Sequence, residues 1–203
     1  MLAKRLFDLF WSSLGLLILS PFFILTALWI KLDSRGPIFF RQERVGRHGV
    51  PFHIYKFRSM VVDAERHGGQ LTVGADRRIT RSGAFLRRTK LDELPQLINV
   101  ALGQMSLVGP RPEVPRYVAH YPEAMKQIVL SVPPGITDHA SVHFWNESEL
   151  LAEAEDPEQF YIDEILPKKL ALYKQYVESR TLAMDLGLIL KTCLPFLNRS
   201  ETP

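Results

Sequence analysis

The residues with the most chemical potential in this chain are the adjacent carboxylates Asp92 and Glu93 and the cations gathered near them. Arg77, Arg78, Arg81, Arg87, Arg88 and Lys90 precede the pair within a short span. Cations this dense beside carboxylates suit phosphate contacts, because guanidinium and ammonium groups give charge-assisted hydrogen bonds to phosphate oxygens. A surface facing anionic lipid headgroups is the alternative reading and is compatible with the first. Leu91-Asp92-Glu93-Leu94-Pro95 runs into a stretch ending at Gly103. Proline is tolerated only in the first turn of a helix, and glycine is a natural stop. Asp92 and Glu93 therefore fall at or just before a helix N-terminus, where the dipole favours ionised carboxylates. Local sequence does not separate this from an ordinary acidic cap. In Gly109-Pro110-Arg111-Pro112-Glu113 two prolines stiffen the backbone around one Arg. A guanidinium fork held this way suits a phosphate or carboxylate, and a loop with a structural Arg would look the same.

These groups need elements to position them. Ile38–Val45 reads as a strand, Gly46–Gly49 as a turn, and Phe52–Arg58 alternates apolar and polar residues with period two, which predicts a β-hairpin. Its polar face carries Lys56 and Arg58, either as anion-binding groups or as a solvated strand face. Val61–Arg66 reads as a short helix, His67–Ala75 as a polar loop and Val114–Leu130 as a helix. Helices are also expected over Glu147–Glu155, Glu158–Tyr176 and Arg180–Leu197. The last has an apolar face that fits a core or a membrane interface. His139 and His143 are four apart, but Ala140-Ser141-Val142 reads as extended, so no zinc site is assigned.

The first apolar run, Leu9–Ile30, holds about 22 residues without a formal charge, long enough to cross a hydrocarbon core of roughly 30 Å. Ser20-Pro21 interrupts it, and Pro removes a helix hydrogen bond. Lys4 and Arg5 precede the run and Lys31 and Arg35 follow it. Basic flanks on both sides favour placing both ends on one membrane face. That describes a re-entrant hairpin, with a Pro-kinked span as the alternative. The Ser20 hydroxyl is available for a carbonyl that Pro21 frees. About 170 residues remain beyond it, enough for one domain with its own core. The expected division is a membrane segment over 1–35 and a catalytic domain over 36–203. The net charge of +3 is too weak, and the basic residues too dispersed, for a nucleic-acid partner. The single Cys193 leaves no intrachain disulfide.

Taken in order, the motifs resemble the bacterial sugar transferases, the small monotopic phosphoglycosyl transferases. The resemblance covers nearly the whole chain. It runs from Lys4-Arg5-Leu6-Phe7-Asp8 and the Ser20-Pro21 break through Gly36–Gln42, Lys56-Phe57-Arg58-Ser59-Met60 and Leu91–Gln96. It continues through Ser106–Pro112 to Pro134-Gly135-Ile136-Thr137. Each motif is weak alone; their order and spacing are specific.

The resemblance implies an α+β, mostly helical fold with a re-entrant membrane helix broken at Ser20-Pro21, a small β-hairpin and interfacial amphipathic helices. It implies transfer of a phosphosugar from a UDP-sugar to undecaprenyl phosphate, the first membrane step of surface-glycan assembly. The expected location is the bacterial cytoplasmic membrane, with the catalytic domain facing the cytoplasm. Asp92 is the implied nucleophile. Mg²⁺ is the expected cofactor, because it prefers carboxylate and phosphate oxygens, with Asp92 and Glu93 as its expected ligands. Lys56, Arg58, Arg88 and Arg111 are the candidate phosphate-binding cations. Many relatives carry an Arg where this chain has Trp145, so Trp145 is a candidate for stacking on the base or sugar. The expected partners are the lipid bilayer, the two substrates and, through exposed apolar helices, a second copy in a homodimer. A catalytically silent membrane scaffold and the same chemistry on another nucleotide sugar are the competing readings.

Overall fold

The break at Ser20-Pro21 shapes the N-terminal end. In a computed structural model, which describes residues 2–64, 71–74, 76–144 and 146–193, helix α1 (Leu2–Ile18) and helix α2 (Ser20–Asp33) meet at a 60° bend. Pro21 cannot donate to the Leu17 carbonyl, and Ser20 Oγ donates to that oxygen instead at 2.8 Å. No single helix among the described residues is long and apolar enough to cross a membrane.

The polarity of α1 is inverted relative to a soluble helix. Asp8 and Ser12 are 3% and 0% exposed, whereas Leu17 and Ile18 are 73% and 65% exposed. The polar residues face the protein because they have partners there. Asp8 accepts from Ser106 Oγ at 2.8 Å and from the Leu107 amide at 3.1 Å. Lys4 bonds Asp185 at 2.6 Å, and Arg5 donates to the carbonyls of Val100 and Ala101. The far end of the bent helix pair is tied to the same body. Asp33 accepts from the amide and hydroxyl of Ser82 at 2.9 and 2.8 Å.

Asp8→Ala strips the Leu107 amide and Ser106 of a charged acceptor and should cost about 2–3 kcal/mol. A thermal-unfolding series in detergent checks it; an unchanged midpoint would show that Asp8 does not fasten α1.

Strand β1 (Phe39–Val45) pairs antiparallel with β2 (Pro51–Phe57), Phe39 opposite Phe57 and Val45 opposite Pro51. Then come α3 (Arg81–Arg88), a 3₁₀ turn at Leu91–Glu93 and α4 (Gln96–Ala101). Strand β3 (Ser106–Val108) pairs in parallel with β4 (Gly135–Thr137), and α5 (Pro115–Val118) and α6 (Glu123–Val129) lie between them in sequence. The chain continues as α7 (His139–His143), α8 (Glu147–Ala152), α9 (Pro157–Phe160), a π turn over Tyr161–Ile165, α10 (Leu166–Ser179) and α11 (Leu182–Cys193). The architecture is mostly helical, with two small two-stranded sheets among the described residues. The largest core cluster joins Tyr117, Val118, Tyr161, Leu166, Leu170 and Tyr173 from α5, the π turn and α10.

Three local expectations change. The helix over Val114–Leu130 is two helices, because Pro122 cannot continue α5 and instead caps α6. Ala140-Ser141-Val142 is helical, because Asp138 caps α7 by accepting from the Ser141 amide at 2.8 Å. Val61–Ala64 forms a turn, and the rest of the helix expected there lies outside the described residues, as does Leu197.

Helix α11 shows the same inversion as α1. Asp185 and Leu188 are buried while Leu182, Leu186 and Leu190 are exposed along one side. Asp185 is buried because Tyr176 Oη donates to it at 2.8 Å and Lys4 neutralises it.

Candidate functional site

The acidic pair is placed by a reversal of the chain. After α3, Lys90 adopts φ +57°, a left-handed conformation, and the Leu91–Glu93 turn follows. Leu94 and Pro95 then accept the first amide bonds of α4, from Leu97 and Ile98. Asn99 fixes α4 against β2. Its side chain accepts from the Tyr55 amide at 2.9 Å and donates to the His53 carbonyl at 2.8 Å. Those bonds register the hairpin so that Lys56, one residue further on, reaches Glu93.

Arg111 arrives from the other side, on the loop after β3. That loop is held by a close backbone approach. Gly135 donates to the Pro110 carbonyl at 2.9 Å, and a Cβ on Gly135 would lie 2.1 Å from the Gly109 nitrogen, so glycine is required. Arg44 donates to the Pro112 carbonyl at 3.0 Å, and its guanidinium lies 3.6 Å from Glu113. Glu113 in turn accepts from Tyr161 Oη at 2.6 Å within the main core cluster. The two prolines and this buried network hold Arg111 in place.

At the centre, Lys56 Nζ donates to Glu93 Oε1 at 2.7 Å. Arg111 Nη1 donates to Glu93 Oε2 at 3.1 Å, and its Nη2 bonds Oε1. Burial alone would raise the Glu93 carboxyl, but Arg111 and then Lys56 overcome it and hold the group well below its usual range. Glu93 likewise pushes Arg111 well above its usual value. Burial lowers Lys56, with Glu93 opposing.

Asp92 differs from its neighbour. It is buried, and its Oδ1 has no hydrogen-bond partner among the described residues. Burial, with the Glu93 charge second, raises its carboxyl; Lys56, Arg87 and Lys90 oppose. Two adjacent carboxylates thus have opposite environments, one saturated by cations and one underserved. That is the pattern of a reactive group beside an organiser.

A cleft next to the cluster is lined by Arg44, Ile54, Lys56, Gln96, Arg111 and Pro112. Of the expected site residues, the structure brings together Lys56, Asp92, Glu93 and Arg111. It places Arg58 elsewhere. Arg58 is buried and donates to the carbonyls of Arg35 and Ser34 at 2.5 and 2.7 Å, and to the Ser34 hydroxyl at 3.0 Å. It therefore closes the C-terminal end of α2 rather than facing the cleft. Arg88 is exposed at the end of α3, and Asp92 feels the charges of Arg87 and Lys90 from that region. Trp145 lies outside the described residues. Arg44, Gln96 and Asn99 were not singled out in the sequence. Of these, only Gln96 lies in a motif of the family resemblance, Leu91–Gln96.

For a divalent cation, no group of three or more His, Cys, Asp or Glu among the described residues forms a cage. Mg²⁺ does not need one, since it typically takes one or two carboxylates plus substrate phosphates and waters. The unpartnered Asp92 oxygen fits such a site. Glu93, the other expected ligand, has both oxygens accepting from Lys56 and Arg111.

Two adjacent carboxylates, one with an orphaned oxygen and one held by Lys56 and Arg111, thus lie beside a cleft lined by N–H donors. The chain belongs to the bacterial sugar transferase family, whose family model matches residues 1–199. It is 40% identical over 198 residues to the undecaprenyl-phosphate glucose phosphotransferase of Komagataeibacter xylinus, covering 95% of this chain and 35% of that one. It is 56% identical over 109 residues to the exopolysaccharide production protein PSS of Rhizobium leguminosarum bv. phaseoli, covering 53% and 54%. It is 42% identical over 141 residues to the UDP-N-acetylgalactosamine-undecaprenyl-phosphate N-acetylgalactosaminephosphotransferase of Aeromonas hydrophila, covering 68% and 33%. The chain thus spans about one third to one half of the length of these relatives.

Proposed function

We propose that this protein transfers a phosphosugar from a UDP-sugar to undecaprenyl phosphate through a covalent intermediate on Asp92. The observation that carries the reading is the unpartnered oxygen of buried Asp92 beside the Lys56–Glu93–Arg111 cluster. An Asp92 oxygen attacks the sugar-bearing phosphorus. The bond from that phosphorus to the bridging oxygen breaks, and UMP leaves with the electron pair. An oxygen of the lipid phosphate then attacks the same phosphorus. The Asp92–phosphorus bond breaks, the carboxylate is restored, and a polyprenyl diphosphate sugar is released.

Lys56 and Arg111 receive the diphosphate charge, since both already point donors at the shared acceptor Glu93. Glu93 keeps the two cations at fixed separation, so little reorganisation is needed when phosphate arrives. When bound, Mg²⁺, held by Asp92 together with the diphosphate, would neutralise the repulsion between two anions.

The membrane placement belongs to the same proposal. The inverted polarity of α1 and α11 supports a lipid-facing surface. The attachment of both hairpin ends to one body supports a re-entrant segment rather than a span. Cysteines at Leu2 and Arg35, introduced in a Cys193→Ser background, should both react with an impermeant thiol reagent from one face of sealed vesicles. Labelling from opposite faces would establish a span.

The reaction is tested with radiolabelled UDP-sugars and Mg²⁺ without lipid acceptor. UMP release with label retained on the protein is the expected result, and the sugar that labels identifies the donor. UMP formed only once lipid phosphate is added, with no labelled protein, would replace the two-step route by direct transfer.

A further inference from the structure

We infer that Gln96 is a substrate-contacting residue, its side-chain amide donating a hydrogen bond to a phosphate oxygen bound in the cleft between Lys56 and Arg111. The inference rests on the phosphate-transfer reading above and names a contact within it. Gln96 is 2% exposed, and its Nε2 is buried without a hydrogen-bond partner among the described residues. Buried donors in native proteins are nearly always satisfied by protein, ordered water or a bound group, and the cleft beside Gln96 leaves its donor to one of the last two. The cleft it lines makes the ligand's chemistry specific. Of its six lining residues, Arg44, Lys56, Gln96 and Arg111 all carry N–H donors, and Ile54 and Pro112 have apolar side chains. A site walled by donors, with no carboxylate in the lining, takes a group that is all acceptor, such as a phosphate.

Gln96 cannot easily turn away to find a protein partner. It sits in the first turn of α4, and Asn99 locks that helix to β2 through Tyr55 and His53. Arg44 contributes differently. Its Nη1 is bonded to the Pro112 carbonyl and its Nη2 to Gln42, so it steadies the Arg111 loop. Gln96 is the neutral donor of the set. It can follow a phosphate oxygen without adding charge that the leaving group must escape.

Two sources could supply that oxygen: the nucleotide diphosphate or the phosphomonoester of the lipid. The test uses the full chain in lipid nanodiscs and measures binding of UDP, inorganic pyrophosphate and farnesyl phosphate by calorimetry. Gln96→Met keeps the length and removes the donor. It should weaken binding roughly ten- to a hundredfold, as expected for a lost hydrogen bond to a charged group. Its thermal midpoint should be equal or higher, because an orphaned donor has been removed. Gln96→Glu should weaken binding further by repulsion.

Weaker binding of UDP and pyrophosphate alone assigns the contact to the donor diphosphate; weaker binding of farnesyl phosphate alone assigns it to the lipid. Wild-type affinity for every probe in Gln96→Met would overturn the inference. So would a fall in thermal midpoint in both variants that matches the loss of binding, because Gln96 would then be structural. A wild-type protein that binds none of the three would overturn the phosphate-transfer reading itself, and this contact with it.

Discussion

Asp92→Asn should abolish label transfer to the protein and lower turnover by on the order of 10⁴-fold or more, the scale seen when a covalent nucleophile is removed. The amide keeps the shape and has no carboxylate oxygen to attack phosphorus. Nucleotide binding measured without Mg²⁺ should survive, because Lys56, Arg111 and Glu93 are untouched. The same variant should be more stable than wild type at neutral pH. Wild-type Asp92 is buried with one oxygen unpartnered, and its carboxyl is raised by burial and by Glu93. A raised carboxyl favours folding while protonated, below the ordinary Asp value of 3.8. It loses that advantage as pH rises through the folded value. The stability gained in Asn should therefore be absent in acid and complete at neutral pH. Thermal midpoints across pH, beside single-turnover labelling, measure both effects. A variant that is less stable at neutral pH and still labels would place the nucleophile elsewhere.

Glu93→Gln should have the second-largest effect, on both stability and the pH profile. One carboxylate holds two cations, Lys56 and Arg111, in a largely buried site. Removing the charged partner of such a set leaves the cations uncompensated and should cost about 3 kcal/mol. The sign of its pH dependence is fixed by the depressed carboxyl of Glu93. The stabilisation is fully present above the ordinary Glu value of 4.5 and is lost as pH falls through the folded value. Wild type and variant should therefore converge in strong acid and differ most near neutrality. Catalysis should respond in the opposite sense. Loss of the neighbouring negative charge lowers the Asp92 carboxyl, so the acid limb of kcat/KM should move to lower pH even as kcat falls. An acid limb that stays in place would show that Asp92 is not the group titrating there.

Stability and reactivity pull against each other at this turn. Lys90 takes a left-handed conformation to deliver Asp92 into a buried position. Among the described residues, no hydrogen-bond partner then meets Asp92 Oδ1. Glu93, with the same charge and one residue on, is the counterweight. Reactive groups are commonly held in such costly environments by neighbours that stabilise the arrangement.

Much of this was legible in the residues, because it depends on local covalent chemistry. Pro21 breaks a helix wherever it stands, and Ser20 lies within reach of the carbonyl left behind, as the structure confirms. The β-hairpin follows from alternation and a glycine turn, and the helix after Pro95 follows from the fixed φ of proline. The stiffness of Pro110-Arg111-Pro112 is likewise written in the chain.

What the sequence could not settle was which charges meet. Lys56 and Arg58 are two residues apart and looked equivalent, but β2 ends at Phe57. One cation meets Glu93, and the other closes the end of α2. Lys4 and Arg5 read as flanking charges of a membrane segment; in the fold they bind Asp185 and the last carbonyls of α4. Gln96 and Arg44 carried no motif of their own that set them apart. The physical reason is common to all of these. Backbone conformation is governed by interactions between near neighbours, so it shows in short windows of sequence. A side chain's charge partner is chosen by packing across 37 residues for Lys56 and Glu93, and across 181 for Lys4 and Asp185. The twenty letters alone do not encode those distances; the tertiary structure decides them.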